Sequence, residues 1–139
     1  MKIVLDTNVL VSGLLTSQGN PAQVLSLVLA GAVRVCHDQR ILAEYAEVLA
    51  RPRFKFDFTK VRDVLLKLEA DGISIAASDQ PLHLPDPDDE PFLAVALAAK
   101  VDFLVTGNLA DYPPGKCFGC AVVSPAEFMN NWRKYSRGI

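Results

Sequence analysis

Carboxylates stand at several points where metal chemistry could be built. Asp6 closes the apolar run that follows Lys2, and Glu44 interrupts a stretch with helical spacing. Asp86, Asp88, Asp89 and Glu90 crowd one Pro-rich segment with no Lys or Arg close in sequence. Asn108 and Asp111 follow a further apolar run, Phe103–Val105, and add two oxygen donors. Acids pooled in this way repel. At ~4 Å and an effective dielectric of ~20, two carboxylates cost about 4 kcal/mol. Full solvation or a divalent cation removes that cost. An all-oxygen donor set suits Mg²⁺ or Mn²⁺ and not zinc.

Each acid also has a plainer reading. Asp6 could cap a helix. Glu44 could pair with Arg40 one helical turn earlier. Asp88 or Asp89 could sit at a helix N-terminus, which favours negative charge. One cap explains one acid, however, and four are crowded together.

These groups are placed by short apolar runs that alternate with longer helix-period segments, the pattern of an α/β domain with a mostly parallel sheet. Strands are predicted at Lys2–Leu5, Val33–Cys36, Ile73–Ala76, Phe103–Thr106 and Ala121–Val123. Helices are predicted over Val9–Leu15 capped by Asn8, Pro21–Ala30, and Gln39–Ala50 capped by Asp38. Further helices are expected over Lys60–Ala70 capped by Thr59, Pro91–Lys100 and Pro125–Arg133. Residues 79–91 and 107–115 read as loops, and 134–139 as a loose tail. Asp6 and the Asn108–Asp111 arm then share the C-terminal edge of the sheet, where ligands bind in open parallel sheets.

The 139 residues fit one domain with its own core, and half of them are apolar. A net charge of −2 excludes a basic nucleic-acid coat. No apolar run is long enough to span a membrane. Residues 1–5 lack the form of a secretory leader, so a reducing cytoplasm is expected and the three Cys are read as free thiols. Cys117-Phe118-Gly119-Cys120 is a lone C-x-x-C. With Cys36 and His37 it could complete a zinc set, but no second C-x-x-C accompanies it. His37 and His83 are isolated. Arg51, Arg53 and Lys55 open a basic stretch, read either as a solvated surface or as a patch for RNA phosphates.

The opening Ile3-Val4-Leu5-Asp6-Thr7-Asn8-Val9-Leu10-Val11-Ser12 resembles the start of PIN-domain proteins. Residues 88–99, followed by 102–108, resemble two later stretches of the same family. Residues 122–128 resemble the closing strand and helix of its VapC-like subgroup, the toxin components of toxin–antitoxin systems. The likeness runs through nearly the whole chain. It implies a three-layer α/β/α sandwich with a mostly parallel central sheet of about four or five strands. It also implies a metal-dependent endoribonuclease that uses Mg²⁺ or Mn²⁺, which acidify a bound water and stabilise a leaving oxygen.

On this resemblance Asp6 matches the first acid, Glu44 the second and Asp89 the third, with Asp88 as the fallback. The fourth position, often Asp in the family, is Asn108 here, with Asp111 close by. Thr7 and Asn8 are expected to orient Asp6 or hold a water, and Thr106 to stand beside the fourth position. A homodimer and a cognate antitoxin protein are implied as well. The competing reading is a weak or inactive PIN scaffold that only binds RNA or protein, and Asn108 favours it. A haloacid-dehalogenase-like phosphatase is set aside, because Asn8 stands where that family needs a second Asp.

Overall fold

The computed structural model describes residues 1–138. Five strands form one all-parallel sheet: β1 (Lys2–Leu5), β2 (Arg34–His37), β3 (Ile73–Ser74), β4 (Phe103–Val105) and β5 (Val122–Val123). Their order across the sheet is β3-β2-β1-β4-β5. Helices α1 (Thr7–Leu15), α2 (Asn20–Leu29), α3 (Gln39–Leu49), α4 (Phe58–Asp71), α5 (Glu90–Ala99) and α6 (Pro125–Arg137) flank it, giving the expected α/β/α sandwich.

β1 is central, so its continuous apolar run is covered on both faces. Ile3, Val4 and Leu5 are fully buried. β2 lies on one side of β1 and β4 on the other, with Leu5 opposite Val105. The chain therefore reverses its direction of travel across the sheet at β1. Such a switch point opens a crevice at the C-terminal ends of the strands. α5 packs on β1, β2 and β4, and buries Phe92, Leu93, Ala94, Val95, Ala96 and Ala99. Its near-uniform apolarity follows from that position. α3 instead buries a stripe of Ile41, Tyr45 and Leu49.

Three helices have a boundary that departs from expectation by more than one residue. α1 starts at Thr7 and is capped by Asp6, not Asn8; the Asp6 carboxylate accepts from the Thr7 N–H at 2.8 Å. α4 starts at Phe58, capped by Asp57 rather than Thr59, with Asp57 accepting from the Thr59 N–H at 2.8 Å. In both cases an acid one or two residues upstream supplies the cap. α6 runs to Arg137, so residues 134–137 are helical where a loose tail was expected, and Ile139 lies outside the described residues. A capping box between Ser124 and Glu127 starts that helix. The acidic segment is also less irregular than expected, because Pro87–Asp89 forms a 3₁₀ turn leading into α5.

Candidate active site

Asp6 leaves β1 into the crevice with only 4% of its surface exposed. Its backbone N–H donates to the Val105 carbonyl, which fixes its height beside β4. One carboxylate oxygen, Oδ1, accepts from the Thr7 N–H. The other, Oδ2, accepts from Thr106 Oγ1 at 2.8 Å, Tyr112 OH at 3.2 Å and Asn8 Nδ2 at 3.3 Å. Burial pushes the Asp6 pKa up, and the hydrogen bonds from Thr106, Tyr112 and Thr7 oppose the shift.

Thr7 links the first acid to the second. Its N–H serves Asp6, and its hydroxyl donates to Glu44 Oε2. Glu44 thus turns into the crevice and does not pair with Arg40, whose guanidinium holds Asp38 at 2.8 Å. Burial raises the Glu44 pKa, and the nearby charges of Asp6, Asp88 and Glu47 add to the rise. Below it on α3, Tyr45 is completely buried and its hydroxyl donates to the Leu5 carbonyl. That bond ties α3 to the end of β1, next to Asp6.

The four crowded acids separate into distinct roles. Asp86 caps the 3₁₀ turn, accepting from the Asp88 N–H at 2.9 Å. Glu90 clamps the preceding loop through the Leu82 N–H at 2.8 Å and the Leu84 N–H at 3.1 Å. Asp88 is exposed. Asp89 alone faces the crevice acids with an unmet demand: its Oδ2 is buried and has no hydrogen-bond partner. Burial, followed by the charges of Asp6, Asp111, Asp86 and Glu44, pushes its pKa up to about 7.

The fourth arm leaves β4. The Gly107 N–H donates to Asn8 Oδ1 at 2.8 Å, and a Cβ at Gly107 would lie 3.1 Å from that same oxygen. The Asn108 N–H donates to Thr106 Oγ1 at 3.1 Å, and its side-chain amide donates to Asp111 Oδ2 at 2.9 Å. Asn108 is exposed and Asp111 is half-buried.

Sequence reasoning missed Tyr112. It is 2% exposed, yet no spacing or motif marks it out between Asp111 and Pro113. Tyr45 belongs to the buried stripe of α3, but nothing in the sequence marks the partner of its hydroxyl. The zinc set is not assembled: Cys36 and His37 lie on β2, separated from β4 and β5 by β1. Arg51 pairs with Glu47 at 3.1 Å, the Arg53 guanidinium lies 4.8 Å from the centre of the Phe54 ring, and Lys55 is exposed.

The residues suit a hard divalent cation in chemistry. The donors are all oxygen, three carboxyls are raised by burial and by neighbouring acids, and one buried carboxylate oxygen lacks any partner. They are not drawn into a closed ligand set. Among the described residues, no three His, Cys, Asp or Glu side chains form a ready metal-holding group.

A PIN-domain model matches residues 2–110, from β1 through the Asn108 arm. The chain belongs to the PIN-domain family. PIN domains are generally nucleases, which supports a hydrolase acting on phosphodiester bonds. Among solved structures, the PIN chain is similar in fold to FitAcB from Neisseria gonorrhoeae. The two share 18% identity over 91% of this chain and 99% of that one, with a TM-score of 0.55. No curated protein matches the chain.

Proposed function

We propose that this PIN domain, one domain across residues 1–139, is a Mg²⁺- or Mn²⁺-dependent endoribonuclease. The observation that carries the reading is the partnerless, buried Oδ2 of Asp89 beside Asp6, Glu44 and Asp111. Asp6, Glu44 and Asp89 would hold the ion, with Asp111 and the Asn108 amide oxygen at its edge. When bound, such an ion supplies an acidified water and positive charge at the leaving oxygen.

The chain's own groups do the positioning. Thr106, Tyr112 and the Thr7 N–H fix the rotamer of Asp6. Thr7 holds Glu44, whose raised pKa suits it to take a proton from the attacking water. Asn8 and Gly107 tie the β1 and β4 edges together. Arg51 lies seven residues beyond Glu44, just past the C-terminal end of α3. With Arg53 and Lys55 it would anchor the RNA backbone leading to the acids.

The same reading makes the protein the toxin of a toxin–antitoxin pair: a cytoplasmic homodimer held inactive by a cognate antitoxin protein. No helix among the described residues is long and apolar enough to cross a membrane. The alternative is an inactive scaffold, favoured by the Asn108 amide that spends a donor on Asp111.

Cleavage of structured RNA with Mn²⁺, with EDTA, and by Asp89→Asn tests the proposal. The wild type with Mn²⁺ should cut, and the other two should not. Undiminished cleavage in EDTA would overturn the metal requirement. Cleavage of single-stranded DNA but not RNA would overturn the substrate. Absence of both cleavage and Mn²⁺ binding by calorimetry would select the scaffold.

A further inference from the structure

The C-x-x-C that the nuclease chemistry leaves unused sits in an unusual turn. The Cys120 N–H donates to the Cys117 carbonyl at 2.9 Å. The two residues between are both left-handed, Phe118 at φ 52° and Gly119 at φ 83°. Those values match the central pair of a type I′ turn, whose ends lie less than ~7 Å apart at Cα. A disulfide needs about 4.4–6.8 Å. Glycine adopts such a φ without penalty. Phe118 does not, and it holds the conformation with 68% of its surface exposed. No packing of the ring accounts for a bulky residue there.

The turn is joined to the crevice. Cys117, Cys120 and Tyr112 line one small cavity with Leu109, Pro114 and Val122. The Cys117 thiol donates to the Pro113 carbonyl at 3.3 Å. Pro113 follows Tyr112, whose hydroxyl reaches Asp6. Cys117 is buried and Cys120 is partly exposed, so the two thiols differ in access.

We infer that Cys117 and Cys120 are a redox-modification site, closing to an intramolecular disulfide that pins the segment carrying Tyr112. Nothing in the nuclease reading is needed for this. The oxidant is a small-molecule disulfide. The Cys120 thiolate attacks one of its sulfurs, forming a mixed disulfide and expelling one thiolate. The Cys117 thiolate then attacks the Cys120 sulfur, forming the Cys117–Cys120 bond and expelling the second thiolate. Two protein thiols lose two electrons, the oxidant disulfide gains them, and the two protons end on the released thiols. Burial pushes the Cys120 pKa up to about 11, with the neighbouring Cys117 adding to the rise. Attack near neutral pH is therefore slow, and the closed bond contains poor leaving groups.

Closure also breaks the Cys117 hydrogen bond to Pro113, so its effect should reach Tyr112. The test treats the full chain with oxidised glutathione, quenches by alkylation under denaturing conditions, and maps the thiols by peptide mass spectrometry. Amide hydrogen exchange is compared before and after oxidation. The linked Cys117–Cys120 peptide should exceed the glutathione adduct by roughly tenfold, because the resolving thiol is tethered at an effective concentration of mM or more. A thiol reductant should reverse it. Cys117→Ser should instead accumulate glutathione on Cys120, and Cys36→Ser should oxidise like the wild type. Exchange should change within residues 109–123 and not in α2. A lasting glutathione adduct on the wild type, a bond to Cys36, or cross-linked dimers would overturn the site. Unchanged exchange at Tyr112 would overturn its coupling to the crevice.

Discussion

Asp6 and Asp89 are both aspartates in one crevice, yet the surrounding donors make them answer neutralisation differently. Repulsion alone predicts that removing either charge spares or stabilises the metal-free fold. The hydrogen bonds decide otherwise for Asp6, whose Oδ2 accepts from three side chains. An amide nitrogen there would meet donors, so Asp6→Asn should cost about 1–3 kcal/mol by urea denaturation. Asp89 has no such partners on Oδ2, and Asp89→Asn should raise the urea midpoint of the metal-free protein. Both variants should lose at least ~10²-fold in RNA cleavage. The sign of the pH dependence follows from the same residue. The unfolded Asp89 loses its proton near its ordinary value of 3.8, whereas the folded one keeps it to about 7. Stability is therefore fully present below pH ~4 and declines as pH rises through about 7. Asp6 and Glu44, also raised, push the same way. Urea midpoints in EDTA between pH 5 and 8 should fall for the wild type and flatten for Asp89→Asn. A wild-type midpoint that rises over that range, relative to the variant, would contradict the assignment.

At the scale of elements, close approach rather than composition fixes the joint between α4 and β3. A Cβ at Gly72 would stand 2.5 Å from the Leu68 and Val35 carbonyl oxygens and 2.8 Å from the His37 ring. Gly72→Ala should therefore cost about 1–3 kcal/mol. Gly115→Ala, with open space around its Cβ, should be near neutral, and thermal melts compare the two. The helices were legible because their apolar stripes repeat locally. Their first residues were not always so. Asp6 and Asp57 each cap from two positions before the residue expected, because a carboxylate accepts from the first turn as well as Asn or Thr does. At Asp6 this has a chemical consequence, since one carboxylate both starts a helix and faces the crevice. The α6 boundary was misread because the polar residues 134–137 carry no apolar signal, although the helix continues through them.

Across the whole molecule, the sheet order brings together residues far apart in sequence. β1 lies between β2 and β4, so Asp6, Glu44, Asp89 and the Asn108 arm meet at one switch point. If they hold a cation, its binding energy adds to the stability of the whole fold. Mn²⁺ at ~100 times its Kd should add about 2.7 kcal/mol. A thermal-shift titration reads this directly, and Asp89→Asn should abolish the gain. An equal shift in wild type and variant would place the ion elsewhere.

Local periodicity, strand-length apolar runs and the crowding of acids are properties of adjacent residues, so the amino-acid order alone determined the α/β class, the five strands and the candidate acids. It also determined the PIN resemblance, because that rests on contiguous motifs. Only the tertiary structure decided which acid of residues 86–90 is left without a partner, that Glu44 answers to Thr7 and not Arg40, and that Tyr112 reaches Asp6. Those outcomes depend on hydrogen bonds between residues up to 106 positions apart. A donor's partner is set by where the sheet order and helix packing deliver it, and no local pattern encodes that meeting.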